Sequence, residues 1–336
     1  MRTEEESLQR VDVVIPCYNY SHFLQECVES VLSQADVDVR VLILDDCSPD
    51  NTPEVGMALA SRDTRVTYRR HTTNMRHIAT YNEGIDWAGG DLFLLLSADD
   101  YLLPGALGRA AELMRNYTDV GLAFGNALIA EPNGTMKRAD PLGDNNVHPM
   151  QILSGRQFMR LSGARNLVPT PTAVVRTGLQ KQVGGYKKEL PHAGDMEMWL
   201  RLASHAGVGF INADQAVYRQ HASNMSLKYY GDNILSDLLQ RKNAFEMLFS
   251  QATDSLRKDE ILRRFLARDL GKQALQQAGI AFNNFDVETA VAIQRFALEV
   301  SPDVRNSLPW IKLVCKQTIG PKCWYALNSM RRRVAA

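Results

Sequence analysis

Short apolar segments recur through the first hundred residues, each shut off by a polar turn: Asp12 to Ile15 ends at Pro16, Val39 to Leu44 at Asp45, and Leu92 to Leu96 at Ser97. Segments this apolar without alternation belong in a sheet buried on both faces, which requires helices above and below parallel strands. The intervening stretches supply those helices. Ser21 is placed to cap a run with Leu24, Cys27, Val28, Val31 and Leu32 at helical spacing, and Thr52 with Pro53 opens another. Arg65 to Arg70 reads as a third strand, and the helix around Ile78 to Ala88 is ended by Gly89 and Gly90. The expected class is α/β with a mostly parallel sheet flanked by helices. In such sheets ligands sit beyond the carboxyl ends of the strands, so the polar turns there should hold the chemistry.

Residues 131–149, rich in Pro, Gly, Asn and Asp, read as an exposed loop, and short helices and strands alternate again from about Gly155 to Tyr218. Beyond Tyr230 the pattern becomes helical, at Ile234 to Phe249, Ile261 to Leu275 and Val287 to Leu298. The expected organisation is one domain over 1–228, in halves of about 10–130 and 150–228, with a helical C-terminal region over 229–336. Length agrees, since 336 residues with 45% hydrophobic content suit a large domain plus an appendage.

Charge and cysteine content narrow the function. Lys and Arg number 38 and Asp and Glu 38, so no overall field draws the chain to nucleic acid. Five cysteines without a C-x-x-C pair fit neither a disulfide framework nor a zinc site. Glu4, Glu5 and Glu6 follow Met-Arg-Thr, the reverse of a signal peptide, and no apolar run approaches the ~20 residues that span a bilayer. A cytoplasmic protein is expected.

The acids then stand out. Asp45 and Asp46 close one buried strand, and Asp99 and Asp100 follow another. Adjacent carboxylates repel and raise each other's pKa unless a cation or donor sits between them. One such pair is as readily a solvated strand end or helix cap, but two at the ends of one sheet favour a site. With no G-x-x-x-x-G-K-[ST] and no G-x-G-x-x-G after the first strand, phosphate has no glycine-rich nest. Mg²⁺ or Mn²⁺ held by Asp99 and Asp100 would take its place, leaving Asp45 and Asp46 to accept the imide N–H of a base.

The run Val14, Ile15, Pro16, Cys17, Tyr18, Asn19, then Ser30 to Gln34, then Leu44, Asp45, Asp46, Cys47, Ser48 resembles the opening of family-2 glycosyltransferases of the GT-A fold. Asn82, Gly84 and Ile85, the Ser97-Ala98-Asp99-Asp100 variant of D-x-D with Pro104, and Gly184-Gly185-Tyr186 continue the series. Asp195, Glu197 to Arg201, and Tyr218, Arg219, His221, Asn224 and Ser226 complete it, so the resemblance covers roughly residues 11–226. It implies that Pro16, Tyr18, Asp46, Asn82, Asp99 and His221 bind a nucleotide-sugar donor, that Asp100 and His221 hold Mg²⁺ or Mn²⁺, and that Asp195 is the catalytic base. Gly194 stands where a second acid is common, and Tyr81 where an arginine often precedes the Asn; Arg76 is a substitute for that cation.

The activity so implied is inverting transfer of a sugar, from a UDP-sugar, to a saccharide or lipid-linked acceptor in cell-surface polysaccharide synthesis. One carboxylate takes the acceptor proton and a cation takes the charge of the leaving diphosphate. A sugar-nucleotide nucleotidyltransferase is the rival enzyme, disfavoured by the Pro16 to Asn19 turn. A non-catalytic nucleotide-sugar-binding protein is the rival from another class. Taken from periodicity alone, Asp195 caps a helix, Trp199 is a core anchor, Glu197 is structural or touches the acceptor, and His71, His77, His192 and His205 have no ligand spacing. After Asp303 there is no acid, while basic residues interleave with Trp310, Ile311, Leu313, Val314, Trp324, Tyr325 and Leu327. That pattern suits either peripheral contact with an anionic membrane or packing on the rest of the protein.

Overall fold

A computed structural model describes residues 8–143, 148–225, 233–251, 253–324 and 326; Ser226, Tyr325, Leu327, Arg331, Arg332 and Arg333 of the sequence reading lie outside them. The described residues form two compact units, one from Met1–Met159 and Asn166–Asn224, the other from Arg160–Arg165 and Met225–Ala336.

The first unit opens as strand, helix, strand: β1 (Arg10–Cys17), α1 (Ser21–Leu32), β2 (Asp38–Asp45), α2 (Thr52–Arg62), β3 (Val66–Arg70), α3 (His77–Trp87) and β4 (Leu92–Leu95). It continues through β5 (Tyr101–Leu102), α4 (Ala106–Asn116), β6 (Val120–Ala130), β7 (Met136–Ala139), β8 (Met150–Leu153), α5 (Gly155–Ser162), β9 (Val174–Arg176), α6 (Thr177–Val183), α7 (Gly194–Ala203) and β10 (Gly207–Arg219). The strands run in the order β3-β2-β1-β4-β9-β6-β10-β5, with β7 on β6 and β8 on β10. β3, β2, β1 and β4 are mutually parallel, as the apolar runs require, and β10 runs parallel to β6. The strands β5, β7, β8 and β9 pair antiparallel.

Val13, Ile15, Val41, Ile43, Leu92 and Leu94 are fully buried, against Leu24, Cys27, Val28 and Val31 of α1 and the Ala106, Leu107, Ala110, Leu113 and Met114 stripe of α4. Each such aliphatic side chain contributes about 1.5–3 kcal/mol. On the other face a Cβ on Gly84 would lie 2.4 Å from Val14 Cγ1, so only glycine lets α3 lie this close to β1. The end of α3 is fixed by Asp12 of β1, which accepts the Gly89 and Gly90 N–H groups and pairs with Arg40 at 2.6 Å. Burial works against the Asp12 charge, but these donors outweigh it and hold the carboxyl below its usual range.

Two local expectations are corrected. Ser21 is not a cap: it lies inside α1, its hydroxyl makes no capping bond, and its N–H donates to Asp50 Oδ2 at 3.0 Å. Residues 131–149 are not all loop: Pro132-Asn133-Gly134 reverses the chain, with Gly134 at φ +82°, and Met136–Ala139 returns as a strand beside β6.

The second unit is helical: α8 (Ile234–Gln251), α9 (Asp254–Arg257), α10 (Glu260–Asn283), α11 (Val287–Val300) and α12 (Leu308–Ile319). Leu262, Leu266, Leu270, Ala274 and Ala278 form the buried stripe of α10, matched by Ala290, Ile293 and Ala297 of α11. Side chains of Asp259, Asp286 and Ser307 accept N–H groups at the starts of α10, α11 and α12. Residues 160–165 join this unit through the Ala164 N–H, held by Asp269, and the Ala164 carbonyl, held by Arg241.

Candidate active site

The acids at the end of β2 divide the work. Asp45 is fully buried and accepts from the Ser48 N–H and the Tyr68 hydroxyl, with Arg70 Nε 3.3 Å away, so it braces the turn and has no face toward a ligand. Asp46, also buried, is held by different partners. Its N–H donates to the Cys17 carbonyl, and its Oδ1 takes the Met75 N–H at 2.7 Å and lies 2.8 Å from His71 Nδ1. Pro16 lies in register with Leu44 at the end of β1, and Tyr18 is 48% exposed just beyond it.

Asp99 and Asp100 follow β4 and are both buried. Burial, and then the Asp99 charge, push the Asp100 carboxyl well above its ordinary range, against the Arg219 N–H that donates to Asp100 Oδ1 at 3.0 Å. The Arg219 guanidinium donates to the Asp99 carbonyl, pairs with Glu26 and lies over Phe23 and Tyr101. His221 lies between rings of α1 and its approach, stacked on Phe23 at 5.4 Å and edge-on to Tyr20 at 5.2 Å, with Nε2 3.1 Å from Asp99 Oδ2. The Tyr20 hydroxyl fastens the same segment by donating to the Ser223 carbonyl.

This cluster fits a hard divalent cation. Asp99 Oδ1 is buried with no hydrogen-bond partner, beside a second carboxylate that burial leaves unfavourably charged. Among the described residues no three His, Cys, Asp or Glu side chains gather into a group that could hold a metal ion by themselves. His221 receives the Ser223 N–H on Nδ1, so its Nε2 carries a proton toward Asp99 and joins a metal only on releasing it.

Asp195 lies apart from that pair. It is the second residue of α7, which shows no side-chain capping bond at its start, so the cap reading fails. Thr170 Oγ1 donates to Asp195 Oδ2 at 3.0 Å, and the Tyr186 hydroxyl is its other partner. Burial raises the Asp195 pKa, and these two bonds with His77 and His192 work against the rise. A Cβ on Gly194 would stand 3.2 Å from Tyr186 Cδ1, so the glycine gives the Tyr186 ring its place beside α7.

Helix α3 connects the three groups. His77 carries the electrostatic influence of both Asp195 and Asp46, and Tyr81 that of Asp195, Asp99 and Asp100. Tyr81 packs edge-on against His77 and Tyr186. The structure thus brings Asp46, Asp99, Asp100, Asp195 and His221 to one end of the sheet. Asn82 Nδ2 donates to the Tyr186 carbonyl and its Oδ1 accepts the Tyr186 N–H, so its amide braces Tyr186 with one N–H and one lone pair outside these two bonds. Glu197 is fully buried against Arg201, a structural pair, and Trp199 is a core anchor.

His71 and His77 have site contacts that the sequence reading denied them, because partners 12 to 114 positions away leave no spacing to read. Thr170, Tyr68 and Glu83 were missed for the same reason. An open concavity lined by Thr118, Asp119, Arg176 and His205 lies at the amino ends of β6 and β10, so chemistry and not concavity locates the site.

An α/β unit with paired acids at the carboxyl ends of its strands and a separate buried carboxylate has the GT-A architecture of glycosyltransferases. Residues 12–180 match the Glycosyl transferase family 2 model, and the chain belongs to that family. A chondroitin synthase of Pasteurella multocida is 36% identical over 234 residues, 67% of this chain and 22% of its own length. An uncharacterized protein of Mycobacterium tuberculosis is 28% identical over 225 residues, 63% of this chain and 68% of its own length. The chain therefore spans about two thirds of one curated relative and under a quarter of the other. Among solved structures, S. aureus TarS 1-349 in complex with UDP-GlcNAc superposes with a TM-score of 0.57 at 16% identity, covering 88% of this chain and 92% of that one. The mannosyltransferase PcManGT of Pyrobaculum calidifontis, in complex with GDP-Man and Mn²⁺, gives 0.52 at 15% identity, covering 94% and 88%.

Proposed function

We propose that this glycosyltransferase is metal-dependent and inverting, and moves a sugar from a nucleoside-diphosphate donor, a UDP-sugar, to a saccharide or lipid-linked acceptor in cell-surface polysaccharide synthesis. The observation that carries the reading is the segregation of carboxylates: Asp99 and Asp100 form a buried pair with one unpartnered oxygen, and Asp195 stands apart with two hydroxyl partners.

Asp46 accepts the N–H of the donor's base. Asp99 and Asp100, with His221, would hold Mg²⁺ or Mn²⁺, which when bound neutralises the charge of the departing diphosphate. Asp195 takes the acceptor hydroxyl proton as that oxygen attacks the anomeric carbon from the face opposite the diphosphate, so no covalent enzyme intermediate forms. Thr170 and Tyr186 hold the carboxylate still, and Phe23 and Tyr20 hold the His221 ring against Asp99. Use of a lipid-linked acceptor places the enzyme on the cytoplasmic face of a membrane, touching it through α12. No helix among the described residues is long and apolar enough to cross one.

The test is binding and turnover of a panel of nucleotide sugars with and without Mn²⁺. Metal-dependent binding of one donor, with slow hydrolysis or transfer, is expected. No binding and no turnover across the panel overturns the reading, and binding without turnover on any acceptor favours a non-catalytic protein of the same fold.

A further inference from the structure

His71 is 13% exposed and has both ring nitrogens engaged: Nδ1 lies 2.8 Å from Asp46 Oδ1 and Nε2 2.8 Å from Glu83 Oε2. A neutral imidazole has one N–H, so two carboxylate contacts are satisfied together only by the doubly protonated ring. Asp46 Oδ1 also receives the Met75 N–H, so both donors fall on the same oxygen and Oδ2 takes part in neither bond. We propose that His71, clamped between Asp46 and Glu83, is a positioning residue that sets the Asp46 carboxylate for the N–H of the donor's nucleobase and makes nucleotide affinity depend on a doubly protonated ring. This rests on the reading of Asp46 as the base contact.

The surroundings support it. Asp45 and Asp46 face the ring's neighbourhood from β2, Tyr68, Arg69 and Arg70 from β3, and His77 and Glu83 from α3. Arg70 is engaged by Asp45 and Arg69 lies 3.8 Å from Glu83, so the carboxylates next to His71 prevail. Burial pulls the His71 pKa down, yet the bonds to Asp46 and Glu83 outweigh it and raise the pKa above 6.5. The contribution of this raised group is complete below pH 6.5 and is lost as pH rises through the folded-state pKa.

The experiment measures UDP and GDP binding with Mn²⁺ by calorimetry between pH 6 and 8.5, on the full chain and on variants whose melting temperatures are recorded alongside. For the wild type, affinity weakens on the alkaline side. His71→Ala weakens binding about tenfold at pH 6.5 and flattens the alkaline loss. Glu83→Gln, at a half-exposed residue that touches His71 and not Asp46, moves the alkaline loss to lower pH, and titration of the nucleotide's own phosphate is common to every variant. Unchanged affinity in His71→Ala, or an unmoved profile in Glu83→Gln, overturns the proposal. Asp46→Asn separates the two readings. If it leaves affinity intact, the base contact itself is wrong; if it weakens binding while His71→Ala does not, only the role of His71 falls. Failure of the wild type to bind either nucleotide overturns both.

Discussion

Asp195 and Asp100 are both driven toward the protonated form by burial, and their neighbours decide what each can do. Asp100 has a second carboxylate beside it, a repulsion that a cation relieves. Asp195 has two hydroxyl donors and two histidines, which keep a buried carboxylate available as a base. Because the base must be ionised, kcat/KM falls on the acid side by about tenfold per pH unit below the Asp195 pKa. Thr170→Val removes a bond to the ionised form, raises that pKa further and shifts the acid limb of the pH–rate profile to higher pH. An unshifted limb removes Asp195 from the rate equation. The stability effect has the opposite sign. A raised carboxyl stabilises the fold fully below about pH 3.8 and loses that contribution as pH rises through its folded-state pKa. Asp100 was legible because a strand-end pair of carboxylates is a local pattern, whereas Asp195, in the first turn of α7, was picked out only by the family resemblance. His71, Thr170 and Glu83 were not, since each acts across a distance that only the fold closes.

Elements divide in the same way. β1, β2 and β4 were readable because unbroken apolar runs have one economical placement, and α1 because its buried residues keep helical spacing. The start of α1 differs from expectation, because the acceptor that secures it is the Asp50 carboxylate and not the Ser21 hydroxyl. The two- and three-residue strands β5 and β9 carry too little periodicity to read at all. The outward face of α12 was visible as composition and is now located. Only Leu313 is buried, while Leu308, Ile311, Val314 and Ile319 are 70%, 51%, 37% and 40% exposed. Beyond Asp303 the sequence holds seven basic residues and no acid, which leaves 31 basic and 38 acidic residues elsewhere. Each Lys or Arg near an anionic surface adds about 1 kcal/mol. Co-sedimentation with vesicles containing anionic phospholipid is therefore expected to exceed that with neutral vesicles, and Ile311→Glu with Leu308→Glu to reduce it. Equal sedimentation with both vesicle types rules the membrane contact out.

At the scale of the molecule, the parallel block β3-β2-β1-β4, its flanking helices and the helical C-terminal unit follow from the alternation of the sequence, while the sheet as a whole is mixed, with four parallel and five antiparallel pairings against the mostly parallel one expected. The mixed pairing of β6, β9 and β10 does not, because antiparallel return strands are chosen by tertiary contacts. That arrangement brings α7 and the residues after β10 to the side of the sheet where β2 and β4 end, and so keeps the Asp99–Asp100 pair separate from Asp195. The most direct measurement of that separation compares Asp195→Asn and Asp100→Asn for Mn²⁺-dependent nucleotide-sugar affinity and for transfer rate. The account predicts that Asp195→Asn keeps the affinity and loses transfer by about 10²–10⁴-fold, and that Asp100→Asn weakens the metal-dependent affinity by about 10–100-fold. Normal transfer by Asp195→Asn, or unchanged metal-dependent affinity in Asp100→Asn, contradicts it.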